Sequence, residues 1–264
     1  MQEIVNMSRT MVYAQSLEQP PPSPSRSTHP GSFEPIVFLP GLLCDQSLWR
    51  RQVRALSDVV APMIADLTLD DNVGDMALRT LAAAPPRFSL AGLSMGGYVA
   101  LDIMRRAPHR VRRLALFNSS ARADTPERIA QRHAGIESLQ RGKFLGVTRR
   151  LLNSLVHPSH VEGTVADEMR AMAQRVGGEA FLRQQQAIMN RPDSTGLLGS
   201  IAVPTMIVAG DGDRITPPEH AEEIHGNIAG SVMHIIRDCG HMAALEHPEE
   251  TTALLREWLA MEAD

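Results

Sequence analysis

The sequence predicts an α/β protein: a mostly parallel sheet covered by helices, with an inserted helical layer. Three observations carry that reading. From residue 34 onward, short apolar runs of strand length alternate with stretches whose apolar residues recur at helical spacing. The alternation stops over residues 122–196, which are helical in pattern and punctuated by Gly135, Gly142 and Gly177-Gly178. It then resumes to the C-terminus. A βα rhythm broken once implies a parallel sheet with an insertion. The expected core is therefore 34–121 together with 197–264, and residues 122–196 are the expected helical lid.

Residues 1–33 fall outside that rhythm. Their stretch from Gln19 to Gly31 is rich in Pro and Ser and has almost nothing to bury, which predicts a disordered segment or an extended tether. Residues 36–39 (Ile-Val-Phe-Leu), ended by Pro40-Gly41, read as a buried parallel strand. A helix is expected over 45–56, with Leu48, Trp49, Val53 and Leu56 on one side, then a strand over 59–65. A second helix covers 75–84 and is closed by Pro85-Pro86. The third strand is 88–91, the third helix 98–106 ending before Pro108, and the fourth strand 114–117. Beyond the insertion, strands are expected at 205–208 and 232–236 with a helix between them, and a last helix at 249–259.

Composition bounds the function. With 43% hydrophobic and 21% charged residues, the chain is ordinary globular material and neither disordered nor collagen-like overall. A net charge of −4 gives no broad basic footprint for nucleic acid. Cys44 and Cys239 are too few for a disulfide framework and suit a reducing compartment. No run approaches the ~18 apolar residues of a membrane helix, and the N-terminal stretch lacks the apolar centre of a secretory signal. The expected location is the cytoplasm, with no membrane or nucleic-acid partner.

The most informative segment is residues 88–97, Phe-Ser-Leu-Ala-Gly-Leu-Ser-Met-Gly-Gly, which contains G-x-S-x-G centred on Ser94. A strand precedes it and a helix follows, the setting of a nucleophile elbow. Glycines flank the Ser because larger side chains would strike neighbouring backbone at so tight a turn. A Ser hydroxyl needs a general base. His241, after a strand in Arg237-Asp-Cys-Gly-His241, stands at the edge where such sheets present their sites. His109, His133, His157, His160, His220, His225 and His247 read as surface or packing residues. His241 with Glu246-His247 superficially suggests zinc, but the spacing H-x-x-x-x-E-H matches no helical zinc pattern, and no metal is expected. The base needs a carboxylate to fix its tautomer. Asp213, deep in the turn Gly210-Asp-Gly-Asp213, is preferred over Asp211, which sits at the strand end and could simply cap it. Two backbone N–H groups should hold the oxyanion: Met95, next after the nucleophile, and Leu42, in the Pro40-Gly-Leu-Leu43 loop. Cys44 reads as a small buried filler, since no His flanks it.

Taken together, Leu39-Pro-Gly-Leu-Leu43, Gly92-Leu-Ser-Met-Gly-Gly97, Gly210-Asp-Gly-Asp213 with Pro217, and Cys239-Gly-His241 resemble the α/β-hydrolase superfamily, from about residue 34 to the C-terminus. The layout is similar to that of its short, lidded serine esterases, such as pimeloyl-acyl-carrier-protein methyl ester esterases. The resemblance implies the α/β-hydrolase fold and an acyl-enzyme on Ser94. It also implies His241 as base then acid, Asp213 as its orienter, and no cofactor. Pro40 stands where many such enzymes carry His. The usual first hairpin has no counterpart in residues 1–33, so a sheet of about six strands is expected. Ser94 counts against the dehalogenases and most epoxide hydrolases of this fold, which use Asp. The expected function is hydrolysis of carboxylic esters with small to medium acyl groups. Lactone or enol-lactone hydrolysis by the same triad, and a slow-turnover ligand receptor of the same fold, stay open.

The lid should close an apolar site over Ser94, lined from Leu42, Leu43, Met95, Phe144, Leu145, Leu152 and Met242. Between Arg122 and Arg150 stand seven basic side chains against Asp124, Glu127 and Glu137. Such a run would steer an acidic substrate, for instance an acyl carrier protein, toward the mouth of the site. The simpler reading is a solvated helix face with i,i+4 pairs, Asp124–Arg128 and Glu137–Arg141.

Overall fold

The computed structural model describes residues 33–140, 142, 144 and 146–263. The expectation for the N-terminal segment therefore lies outside the described residues, except at Phe33. Six strands form one parallel sheet: β1 (Glu34–Leu39), β2 (Val60–Ile64), β3 (Phe88–Leu93), β4 (Val111–Phe117), β5 (Thr205–Gly210) and β6 (Val232–Ile236). The order across the sheet is β2-β1-β3-β4-β5-β6. Central strands of a parallel sheet are covered on both faces and must be apolar throughout. Accordingly β3 and β5 are buried at every residue, whereas the edge strands β2 and β6 expose part of theirs.

The helices divide between the two faces. In chain order the core helices are α1 (Arg50–Ala55), α2 (Val73–Ala83) and α3 (Met95–Arg106). The insertion supplies α4 (Pro126–Gln140), α5 (Arg149–Leu155) and α6 (Thr164–Met189), and the C-terminal part α7 (Pro218–Asn227), α8 (Ala243–Glu246) and α9 (Pro248–Ala260). Successive strand residues point to opposite faces. Ile36 and Phe38 thus join a core with Trp49, Leu255 and Trp258, while Val37 and Leu39 join one with Met76, Val99 and Ile224.

Several element bounds differ from the sequence reading. α3 begins at Met95, not at residue 98, because strand, turn and helix follow one another with no intervening loop. α2 begins at Val73, since Asn72 caps it by accepting the Asp75 N–H at 2.8 Å. The expected helix at 45–56 is a 3-10 turn over Gln46–Trp49 leading into α1. The short α8 was not anticipated.

Residues 122–196 carry α4, α5 and α6 and, among the described residues, no strand. Gly177 (φ 77°, ψ 174°) breaks α6 into two arms. The expected Asp124–Arg128 pair does not form. The Asp124 side chain is fully buried and binds Arg132 at 2.5 Å and Arg191 at 2.8 Å, because it lies ahead of α4 and faces inward. Arg128 instead donates to the carbonyl of Ile215. Arg141, of the second expected pair, lies outside the described residues. The insertion is tied to the loops that follow β1 and β2 by Gln184, which accepts the Leu43 N–H at 3.0 Å and donates to the Leu67 carbonyl at 3.1 Å. No helix among the described residues is long and apolar enough to cross a membrane.

The strand order fixes where a site can form. The chain leaves β1 toward β2 on one side, then crosses to β3 on the other. Loops leaving the C-terminal ends of β1 and β3 therefore part in opposite directions and open a crevice between them.

Candidate active site

Ser94 stands at that crevice, on the residue between β3 and α3. Its backbone is at φ 54°, ψ −116°, a region that non-glycine residues rarely adopt. The surrounding packing enforces it. A Cβ on Gly96 would lie 2.2 Å from the Leu39 carbonyl oxygen, and one on Gly92 would lie 2.5 Å from the Gly96 oxygen. Only glycines let β1, β3 and α3 meet this closely. Ser94 N–H donates to the Phe117 carbonyl at 2.9 Å, and its own carbonyl accepts from Ser119 Oγ at 2.9 Å.

His241 reaches the serine from the turn after β6. Its Nε2 lies 2.8 Å from Ser94 Oγ and its Nδ1 lies 2.8 Å from Asp213 Oδ2. His241 is 3% exposed and Asp213 4%. Asp213, in the turn after β5, is held by a dense set of donors. The Ile215 and Thr216 N–H groups donate to its Oδ1 at 2.8 and 3.0 Å. Thr216 Oγ1 and Asn118 Nδ2 donate to its Oδ2 at 2.9 and 3.0 Å. Burial alone would raise the Asp213 pKa, but the adjacent His241 and these donors outweigh it and hold the carboxyl down to about 2. Asp211 is exposed and accepts the Cys239 N–H at 3.3 Å, a turn-closing contact.

Beside Ser94 and His241 opens a cavity of about 360 Å³, and its walls are largely apolar. Leu43 and Met242 line it, with Leu42, Met169, Met172 and Phe181. Leu152 does not. It is fully buried in the core, and its α5 neighbours Leu151 and Leu155, one helical turn apart, face the cavity in its place. Phe144 stands behind the wall, its ring 6.1 Å from that of Phe181. Leu145 lies outside the described residues. Met95 contributes no wall, since its side chain is buried in the core beneath α3. The polar side chains of Arg128, Gln131, Arg132 and Gln185 also line the cavity. Cys44 also touches the cavity, but burial pushes its thiol up to about 12, so it stays protonated.

For the two expected oxyanion donors, Met95 is the first residue of α3, where a helix leaves its N–H without an intrahelical acceptor. Leu42 is on the cavity wall, and among the described residues its N–H takes no protein acceptor, whereas the Leu43 N–H is spent on Gln184.

Asn118, Thr216 and Glu246 were missed in the sequence. Thr216 carried a signal, since a hydroxyl three residues after an Asp readily closes a turn onto it. Asn118 carried a weaker one: it follows a strand and adopts φ 45°, which Asn tolerates better than most residues. In the sequence Glu246 reads only as an ill-fitting zinc ligand.

Residues 36–254 match the alpha/beta hydrolase family. The chain belongs to that family. It is 31% identical over 179 residues to the pimeloyl-acyl-carrier-protein methyl ester esterase of Neisseria meningitidis serogroup C, covering 64% of this chain and 68% of that one. A protein of the same description from Nitrosomonas europaea is 26% identical over 238 residues, 83% of this chain and 93% of the other. Among solved structures, a thermophilic esterase from Thermogutta terrifontis superposes with a TM-score of 0.78 at 28% identity, covering 87% of this chain and 90% of that one.

Proposed function

We propose that this alpha/beta hydrolase is a serine esterase that works through an acyl-enzyme. One observation carries the reading: Ser94 Oγ, His241 and Asp213 form an unbroken hydrogen-bonded series, 2.8 Å at each link, at the wall of a mostly apolar cavity. His241 Nε2 takes the Ser94 proton as Oγ attacks the ester carbonyl. The Leu42 and Met95 N–H groups stabilise the developing oxyanion. His241 returns the proton to the departing alcohol, and a water activated by the same nitrogen then releases the acid. Asp213, ionised throughout, holds the imidazole in one tautomer and stabilises its protonated form.

A cavity of about 360 Å³ suits small to medium acyl groups. The relatives' names suggest a finer reading, in which the ester is borne by an acyl carrier protein and the basic side chains of residues 122–150 guide that acidic partner to the lid. A lactone would meet the same nucleophile and open its ring, so a panel of esters, lactones and acyl thioesters ranks the substrate classes. A nitrophenyl ester tests the reading directly. A burst of nitrophenol followed by sustained turnover supports an esterase, and a burst that stalls supports a ligand receptor.

A further inference from the structure

Glu246, the last residue of α8, is 6% exposed, and its carboxylate is spent on backbone donors. Its Oε2 accepts the N–H of Gly240 at 3.0 Å and that of His157 at 2.7 Å, and its Oε1 accepts the N–H of Met242 at 2.9 Å. Gly240 and Met242 flank His241. The N–H of His241 itself donates to the Leu155 carbonyl, at the end of α5, at 2.7 Å. All three backbone donors of the 240–242 turn are thus held, two by Glu246 and one by the insertion. The fit leaves no slack: a Cβ on Gly240 would lie 2.6 Å from the Val156 backbone. A carboxylate buried this deeply is tolerated only where donors compensate it, and here those donors come from two separate parts of the chain. The spacing His241-x-x-x-x-Glu246 follows: four residues allow one turn of helix to bring the carboxylate back under the histidine's own backbone.

We propose that Glu246 is a positioning residue. It clamps the His241 turn and segment 155–157 of the insertion into one unit, and so sets His241 Nε2 against Ser94 Oγ. Because that segment continues the helix that carries Leu151 and Leu155, the clamp also fixes the base relative to the cavity wall. The proposal rests on Ser94 and His241 being the nucleophile and base. A misplacement of a reacting group by ~1 Å is enough to lower a rate about 10²-fold.

The test is hydrolysis of p-nitrophenyl butyrate by E246Q and E246D, with rates normalised to the folded fraction from thermal melts and with S94A as control. E246Q keeps the size but turns an amide N–H₂ toward backbone donors. It is expected to lose about 10²-fold in kcat with KM changed by no more than about twofold. Labelling by a fluorophosphonate, which needs the same Ser–His contact, should slow in parallel. E246D keeps the charge and should recover part of the loss; if E246Q does not fold, E246D carries the same readouts against wild type. Unchanged kcat per folded molecule, with only a lower Tm, would overturn the proposal, as would a rise in KM at unchanged kcat. Full activity in S94A would overturn the nucleophile assignment instead, so the two failures are distinguishable.

Discussion

Ser94 keeps a backbone conformation that ordinarily costs about 1–3 kcal/mol, and such strain persists only where the surroundings fix it. The return is an Oγ held 2.8 Å from His241 Nε2, outside the sheet and beside the cavity. S94A should therefore retain the fold and lose about 10⁴–10⁶ in esterase rate, as assayed with a nitrophenyl ester; activity near wild type would remove the mechanism. Asp213 makes a second prediction, through pH. Its carboxyl titrates at about 2 when folded and at 3.8 ordinarily. A depressed folded pKa means that the stabilisation is present above 3.8 and is lost as pH falls toward about 2. The difference is of order 2 kcal/mol. In urea titrations, the stability gap between wild type and D213N should narrow by about 1 kcal/mol between pH 5 and pH 3; a gap independent of pH would contradict it. Ser94, Asp213 and His241 were legible in the sequence because each sits beside glycine punctuation at a strand end. Asn118 and Thr216 were harder to see, because their role is to donate to a carboxylate from another loop, and no local pattern records that.

The junction of β1, β3 and α3 is the element on which the site depends. Gly96 packs against the end of β1, so G96A must push the two apart, with a destabilisation of about 1–3 kcal/mol as for other overpacked contacts. Because Leu42 follows the same strand end, G96A should also lower kcat, measured beside a thermal melt. An unchanged melt and rate would mean that the closeness of this contact is unimportant. The strands were readable as apolar runs bounded by Pro and Gly. Helix starts were less so: Asn72 caps α2 ahead of the first apolar residue, and α3 begins within the Gly-rich turn itself. In α5, periodicity could identify a buried stripe but could not choose between Leu152, which faces the core, and Leu151 with Leu155, which face the cavity. That choice is set by how the insertion docks on the core, through Gln184 and the 155–157 segment.

Across the whole molecule, the strand order and the insertion together shape the cavity beside Ser94. Its size leads to the expectation that butyryl esters outperform palmitoyl esters in kcat/KM; the reverse order would contradict an acyl site of about 360 Å³. The alternation of strands and helices, with its single interruption, was enough to foresee the six-stranded parallel sheet. The pairing of Asp124 with Arg132 and Arg191 was not foreseeable, because it depends on which way residue 124 faces. That pairing also removes two of the charges counted for steering, Asp124 and Arg132, from the solvated face. If a carrier protein is the substrate, kcat/KM should fall steeply with salt for it and stay flat for a neutral ester; equal salt sensitivity would leave a small-molecule esterase. The claim beneath all of this is that Ser94 becomes acylated. Rapid mixing with p-nitrophenyl butyrate, acid quench and peptide mass analysis tests it most directly. The account requires a burst near one equivalent per chain and a butyryl group on the peptide carrying Ser94. Turnover with no adduct on that peptide, or with the adduct elsewhere, would contradict it.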